Sequence, residues 1–182
     1  MERLIIFGIL CLAVIIISRR NLLNAKSHGF YRLFSWIGIS WLFADNYRLW
    51  FDRPFSINQI FSWILLFISL YLVVAGVILL IKTGKPSKNR EDKTLLSFEK
   101  TTGLIDTGVY RYIRHPLYAS LIFLTWGIFF KNPILTDLIV AMLSTVFLYI
   151  TSKYDEKECI QYFGEEYKSY MKRSKMFVPF IF

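Results

Sequence analysis

The chain is poor in residues that form covalent or metal cross-links, with two cysteines and two histidines among its 182 residues. Cys11 lies in an apolar run and Cys159 in a charged tail, so no disulfide framework is expected and each is interpreted as a buried thiol. His115 has only His28 as a possible imidazole partner, so the sequence predicts no metal site.

Signals for export and for nucleic-acid binding are also scarce. The first residues, Met1-Glu2-Arg3, are not net positive, and no small-x-small cleavage site follows Ser18. A retained membrane helix is therefore favoured over a signal peptide for the first apolar run. The net charge is +9, but basic and aromatic residues do not alternate as in RNA-binding segments. We attribute the basic excess to topology and to contact with membrane lipids, and expect no nucleic-acid partner.

Apolar residues are abundant, at 55% of the chain, with 18% aromatic residues. This is too apolar for an ordinary soluble domain of this length. Five apolar runs follow one another, at 4–18, 30–51, 58–81, 117–130 and 134–151. The third is long enough at 1.5 Å per residue to cross a hydrocarbon core of about 30 Å. The sequence thus predicts an all-α integral membrane protein with about five transmembrane helices.

The last two runs are separated by a short polar interruption that ends in Pro133. Proline cannot donate a backbone hydrogen bond, and it restricts Asn132 before it. We predict a helical hairpin at 117–151 rather than one kinked helix, since about 35 residues would overshoot the bilayer.

The tail from Tyr154 carries apolar and aromatic residues at helical spacing, namely Ile160, Phe163, Tyr167 and Tyr170. It is predicted to form a cytoplasmic C-terminal amphipathic helix, in which Gly164 could introduce a break after Phe163. No pair of small residues marks a helix interface, so the oligomeric state stays open.

Basic residues are concentrated in the first loop, in the segment 82–116 and in the tail, whereas the loop near 52–54 is nearly neutral. Five spans with the N-terminus outside and the C-terminus cytoplasmic place all three basic segments in the cytoplasm. We therefore expect a single membrane domain over 1–182. It would comprise three N-terminal transmembrane helices (1–81), a cytoplasmic loop (82–116), and the hairpin with the C-terminal helix (117–182).

Chemistry is concentrated at 108–118, where Arg, His, Pro and Tyr side chains stand at the start of the fourth apolar run. Ionisable groups at a bilayer edge are costly and mark a functional site by default. Taken singly, His115 is more simply interpreted as structural. The acidic pair Asp155-Glu156 on its own fits a helix N-terminus, where the macrodipole favours it.

In combination, these segments resemble the isoprenylcysteine carboxyl methyltransferase family, and they are similar to the related phospholipid methyltransferases. The pattern is Gly-x-Tyr-x-x-x-Arg-His-Pro-x-Tyr, a membrane hairpin, an acidic pair and Phe-Gly-x-x-Tyr-x-x-Tyr. The matching residues are Gly108, Tyr110, Arg114, His115, Pro116, Tyr118, Asp155, Glu156, Phe163, Gly164, Tyr167 and Tyr170. The resemblance covers about 102–179, and the first three runs match only in being apolar.

The resemblance implies a methyltransferase with S-adenosylmethionine as cofactor, held between the hairpin and the tail. The family's cofactor-contacting positions fall on Thr102, Gly103, Leu104, Ile105, Tyr110, His115, Pro116, Leu117, Tyr118, Asp155 and Glu156. Asp155 stands where the family normally has Glu, so Glu156 is expected to share its role. Carboxylates suit the cofactor's ammonium group, and tyrosine faces favour cations.

On the substrate side, the family places an arginine four residues before the acidic position, where this chain has Thr151. Lys153 could substitute as a point charge without the bidentate fork of arginine, and Arg114 is the third substrate-side candidate. This departure weakens the case for a prenylcysteine carboxylate as acceptor. The implied partner is a lipophilic small molecule or a lipidated group that enters from the bilayer.

Three alternatives stay open. A phospholipid N-methyltransferase or a small-thiol methyltransferase would use the same scaffold. A membrane reductase of the steroid type would use a nicotinamide cofactor, although the acidic pair would repel its pyrophosphate. A non-enzymatic membrane scaffold would tolerate replacement of His115 and Asp155.

Overall fold

The computed structural model describes residues 1–19, 22, 27–86, 95–96 and 99–181. Within these ranges the regular elements are helices, which confirms the all-α prediction. The six α-helices are α1 (Glu2–Ser18), α2 (His28–Asn46), α3 (Ile57–Lys82), α4 (Pro116–Phe129), α5 (Leu135–Phe163) and α6 (Glu165–Arg173). Short 3-10 turns lie at Tyr47–Leu49 and Gly108–Arg111.

Two of these helices, α3 and α5, are long and apolar enough to cross a membrane, fewer than the five spans predicted. Of the other three apolar helices, α1 and α4 are shorter than a typical membrane span, and α2 contains ionisable residues. α1 has 17 residues and α4 has 14, which correspond to about 26 and about 21 Å. α2 carries the ionisable residues His28, Arg32 and Asp45.

The predicted hairpin is present as α4 and α5, joined by a turn that includes Pro133. The predicted end of its second arm is wrong, because α5 continues past Thr151 to Phe163 and is about 44 Å long. No proline or glycine lies between these two residues to stop the helix. Gly164, with φ +61°, ends α5, so the amphipathic α6 begins at Glu165 and not near Tyr154.

The helices pack as neighbouring pairs, with α3 along α4, α2 along α5 and α1 against α2. Serine hydroxyls join these pairs by donating to backbone carbonyls of the adjacent helix. The three bonds run from Ser35 to Ser144 (3.1 Å), from Ser62 to Gly127 (2.7 Å) and from Ser69 to Ser120 (2.8 Å). Small polar residues of this kind are typical of closely packed membrane helices.

The chain after α6 returns to the segment that precedes α4. The amide of Arg114 donates to the carbonyl of Lys175 at 2.8 Å, and the amide of His115 donates to that of Met176 at 3.2 Å. The amide of Lys175 donates in turn to the carbonyl of Tyr112 at 2.9 Å. These bonds fix the start of α4 beside the C-terminal segment.

Candidate active site

A cavity of about 110 Å³ lies beside the last turns of α5, the start of α4 and α6. Ten of the predicted site residues line it: Gly103, Leu104, Ile105, Tyr110, Arg114, His115, Pro116, Leu117, Tyr118 and Asp155. Residues from three separate stretches of sequence therefore meet at one place.

Four other predicted residues do not line this cavity. Thr102 Oγ1 donates to the Lys85 carbonyl at 3.0 Å, and Thr151 Oγ1 is buried and donates to the Phe147 carbonyl at 2.7 Å. Glu156 and Lys153 pair with each other at 3.0 Å. Consecutive residues on a helix point about 100° apart, which is why Asp155 faces the cavity and Glu156 does not.

Further residues complete the lining without having been predicted as site residues: Leu80, Leu95, Glu99, Thr101, Glu158, Cys159, Phe163, Tyr167 and Tyr170. The last three belong to the aromatic pattern of the tail, and Glu158 and Cys159 follow Asp155 at helical spacing. This helical spacing is the sequence signal that could have identified these five residues. No sequence signal identifies Glu99, because its position depends on a contact with Arg32, which is distant in sequence.

His115 caps α4, with Pro116 at the first helical position. Its Nδ1 lies 3.3 Å from Asp155 Oδ2, and its Nε2 lies 3.6 Å from Glu156 Oε1. Burial lowers the pKa of His115, but the carboxylates of Asp155 and Glu156 outweigh it, so the pKa lies above its ordinary value. The ring therefore gains positive charge next to two carboxylates.

Arg114 is held by two partners. Its Nε lies 2.6 Å from Glu156 Oε1, and its Nη1 donates to the Ser174 carbonyl at 2.8 Å. Glu156 thus meets Arg114, Lys153 and His115 together. The positive charge of Arg114 is therefore compensated by Glu156, which does not itself line the cavity.

Three groups beside the cavity, His28, Asp155 and Glu158, each offer a ligand atom within 4.8 Å of the others, a spacing that could hold a metal ion. However, His28 Nδ1 already lies 2.7 Å from Glu158 Oε2, and the His28 amide donates to Glu158 Oε1 at 3.1 Å. A metal ion would have to replace the first of these contacts. The absence of a metal site therefore stays a prediction.

Tyrosines also line the cavity. Tyr170 donates from its hydroxyl to the Tyr110 carbonyl at 2.6 Å, and burial raises the pKa of Tyr110 well above its ordinary value. Gly108 makes the turn before Tyr110 at φ +57°, where a Cβ would lie 2.7 Å from Leu79 Cδ1. A cavity lined by both neutral aromatic rings and carboxylates suits an organic cation.

Within the described residues, the fold and the cavity together define a class: an all-helical protein with membrane-compatible helices and a cavity lined by carboxylates and tyrosines. The sequence profile of the family described as "Phospholipid methyltransferase" matches residues 57–166, which is more than half of the chain. The protein therefore belongs to the phospholipid methyltransferase family, and the resemblance found in the sequence is confirmed.

Curated relatives carry two kinds of name. A methanethiol S-methyltransferase of Crocosphaera subtropica is 32% identical over 74 residues, covering 40% of this chain and 28% of the relative. A probable protein-S-isoprenylcysteine O-methyltransferase of Oryza sativa subsp. indica is 29% identical over 126 residues, covering 65% and 63%. The human protein-S-isoprenylcysteine O-methyltransferase is 35% identical over 85 residues, covering 44% and 29%.

The matched part of the chain covers 24% to 28% of the length of the first three methanethiol S-methyltransferases compared. No solved structure gives a significant match.

Proposed function

We propose that the protein is a membrane-embedded, S-adenosylmethionine-dependent methyltransferase that acts on a lipophilic acceptor. The observation that carries this proposal is the meeting of Gly103, Tyr110, His115 and Asp155 at one cavity, in a chain of the phospholipid methyltransferase family. The first of these lies over 50 residues from the last. The family resemblance, which rests on sequence alone, assigns all four to one cofactor.

The residues present fit this cofactor, which supplies a methyl group on a cationic sulfonium. Asp155 and Glu158 offer carboxylates for its ammonium group, and Tyr110 and Tyr118 offer aromatic faces to positive charge. His115 also lines the cavity, and its Nδ1 lies 3.3 Å from Asp155 Oδ2, so the ring can hold that carboxylate in place for the ammonium group. When the cofactor and the acceptor are bound, these side chains would contribute mainly by aligning the reacting atoms and by excluding water from them.

Membrane insertion is supported by large apolar side chains that are not buried within the protein. Only 22% of the most apolar part of α3 is buried within the protein. Large apolar side chains of α1 are exposed as well, including Leu4, Ile9 and Leu12. Contiguous apolar surface on this scale marks contact with lipid or another apolar partner. We propose that all five apolar helices lie in the membrane, with the N-terminus outside and the C-terminus in the cytoplasm.

The acceptor we favour is uncharged, such as a small thiol. Three carboxylates line the cavity, from Glu99, Asp155 and Glu158, whereas its lining cation Arg114 is paired with Glu156. A carboxylate acceptor would therefore find no unpaired lysine or arginine among the described residues that line the cavity. The relatives named methanethiol S-methyltransferases favour the same choice, while phospholipid N-methylation remains the alternative on this scaffold.

The first test is calorimetric binding of S-adenosylmethionine and of its demethylated product to the detergent-purified protein. Asp155→Asn and His115→Gln should each lower the affinity at least tenfold. Asp106→Asn is the matched control, because Asp106 is half-exposed, pairs with Arg173 at 2.6 Å and does not line the cavity. Binding by the wild type that survives both cavity substitutions would place the cofactor elsewhere.

A folded wild type that binds neither compound would contradict the proposed function, and a nicotinamide cofactor would be tested next. If the cofactor binds, transfer of a labelled methyl group should be measured to an alkyl thiol, an isoprenylcysteine and phosphatidylethanolamine. Transfer to the isoprenylcysteine alone would contradict the uncharged acceptor.

A further inference from the structure

Helix α2 lies before the segment that matches the family, yet it contacts two residues that line the cavity. Arg32 Nη1 lies 2.7 Å from Glu99 Oε1. One turn earlier, His28 Nδ1 lies 2.7 Å from Glu158 Oε2. Glu99 belongs to the loop before α4 and Glu158 to α5, so α2 joins two walls of the cavity.

The pair formed by Arg32 and Glu99 is shielded from water. The exposed fractions of the two side chains are 3% and 11%. The guanidinium of Arg32 also lies over the ring of Trp36, at 5.0 Å from its centroid. A buried cation that is held on a helix by packing provides a fixed anchor for its partner, and removal of one member leaves an uncompensated buried charge.

Glu99 in turn forms hydrogen bonds with its neighbours in the loop before α4. Its Oε2 accepts from the Leu96 amide at 2.8 Å, and its carbonyl accepts from the Thr101 amide at 2.8 Å. Farther along, the Thr102 amide donates to the Gly84 carbonyl at 3.0 Å. This segment is therefore held at Glu99 by α2 and at Thr102 by Gly84, which lies just after α3.

We propose that Arg32 is a positioning residue that holds residues 99–105, through Glu99, as a wall of the cavity. The shape of the cavity is then set in part by α2, outside the matched family segment. The consequence for S-adenosylmethionine affinity rests on the proposed function, whereas the consequence for the cavity wall does not.

The wall can be tested without any cofactor, because Cys159 lines the cavity. In a Cys11→Ser background, Cys159 is the sole thiol, and its rate of alkylation by uncharged N-ethylmaleimide reports access to the cavity. Arg32→Met should raise this rate at least threefold. Removing a cation disfavours the reactive thiolate, so a purely electrostatic effect would slow the reaction. Arg48→Gln is the matched control, since Arg48 lies in the 3-10 turn that follows α2, is exposed and pairs with Glu2.

A double-mutant cycle then tests whether Arg32 acts through Glu99. Arg32→Met, Glu99→Gln and the double variant are compared for Cys159 alkylation, S-adenosylmethionine affinity and thermal stability. The double variant leaves no unpaired buried charge, so it keeps the test valid if a single variant fails to fold. We expect Arg32→Met to have little further effect when Glu99→Gln is already present, in both the alkylation rate and the affinity.

The outcomes separate the two proposals. An unchanged alkylation rate in folded Arg32→Met, or effects of the two substitutions that simply add, would overturn the positioning role. A raised, non-additive rate in a protein that never binds S-adenosylmethionine would support the wall and contradict the proposed function. A raised rate together with an at least tenfold loss of affinity would support both.

Discussion

Neighbouring residues of the acidic pair have different surroundings. Asp155 lines the cavity and approaches His115, whereas Glu156 meets Arg114 and Lys153 away from the cavity. We propose that Glu156 holds Arg114 and His115 in place and that Asp155 contacts the cofactor. The sequence resemblance assigned both to the cofactor, because adjacency in sequence does not show which face of a helix a residue occupies.

Substitutions should separate these two roles. Asp155→Asn should lower S-adenosylmethionine affinity at least tenfold and should lower thermal stability less than Glu156→Gln does, because Asp155 pairs with His115 whereas Glu156 also pairs with Arg114 and Lys153. Glu156→Gln removes one partner of a buried ion pair and should lower the free energy of unfolding by about 3–5 kcal/mol. The measurements are calorimetric binding and thermal unfolding in detergent. Equal losses of affinity in both variants, at unchanged stability, would contradict the division.

His115 should make stability depend on pH. Its pKa is raised in the folded protein, since the carboxylates of Asp155 and Glu156 outweigh burial, which acts in the opposite direction. A raised pKa stabilises the fold fully below the ordinary histidine value of about 6.5, and this contribution is lost as pH rises through the folded value.

The measurement is the melting temperature of wild type and His115→Gln between about pH 6 and about pH 9. The difference between the two proteins should shrink as pH rises. Other titrating groups, including His28, are present in both proteins and cancel in this difference. A difference that grows with pH would show that the folded pKa lies below the ordinary value.

At the scale of elements, the sequence correctly predicted helix breaks that are set by a single residue. Pro133 separated the two arms of the hairpin, and Gly164 marked the break before α6. The predicted helix end near Thr151 was wrong, because a change from apolar to charged side chains does not stop a helix whose backbone bonds continue. Glu99 was missed because its partner Arg32 is 67 residues away, and no local pattern encodes that contact.

The segment after α6 should act as a brace for the start of α4. Its backbone bonds to Tyr112, Arg114 and His115 would be lost if the chain ended after Arg173. We expect that truncation to lower S-adenosylmethionine affinity at least tenfold and to leave the helix content by circular dichroism nearly unchanged. Truncation after Val178 is the matched control, since it keeps Lys175 and Met176. Wild-type affinity in the shorter protein would contradict the brace.

At the scale of the whole molecule, charge and cavity point to one side of the membrane. The cavity lies where the basic segment 82–116 meets the basic tail, and the short loop at 52–54 belongs to the opposite end of α3. Positively charged loops stay in the cytoplasm, where S-adenosylmethionine is available. The proposed orientation thus gives a water-soluble cofactor access from the cytoplasm and a lipophilic acceptor access from the bilayer.

This orientation predicts opposite labelling of two exposed positions. In a background with Cys11→Ser and Cys159→Ser, Phe55→Cys should react with a membrane-impermeant maleimide in intact cells. Lys172→Cys should react only after permeabilisation, because it lies on α6, in the tail that the proposed orientation places in the cytoplasm. Phe55 and Lys172 are both exposed in the fold. A cysteine at either position that fails to react is therefore shielded by the membrane and not by burial within the protein. The reverse pattern would place the cavity outside the cell, and reaction at both positions before permeabilisation would contradict an odd number of spans between them.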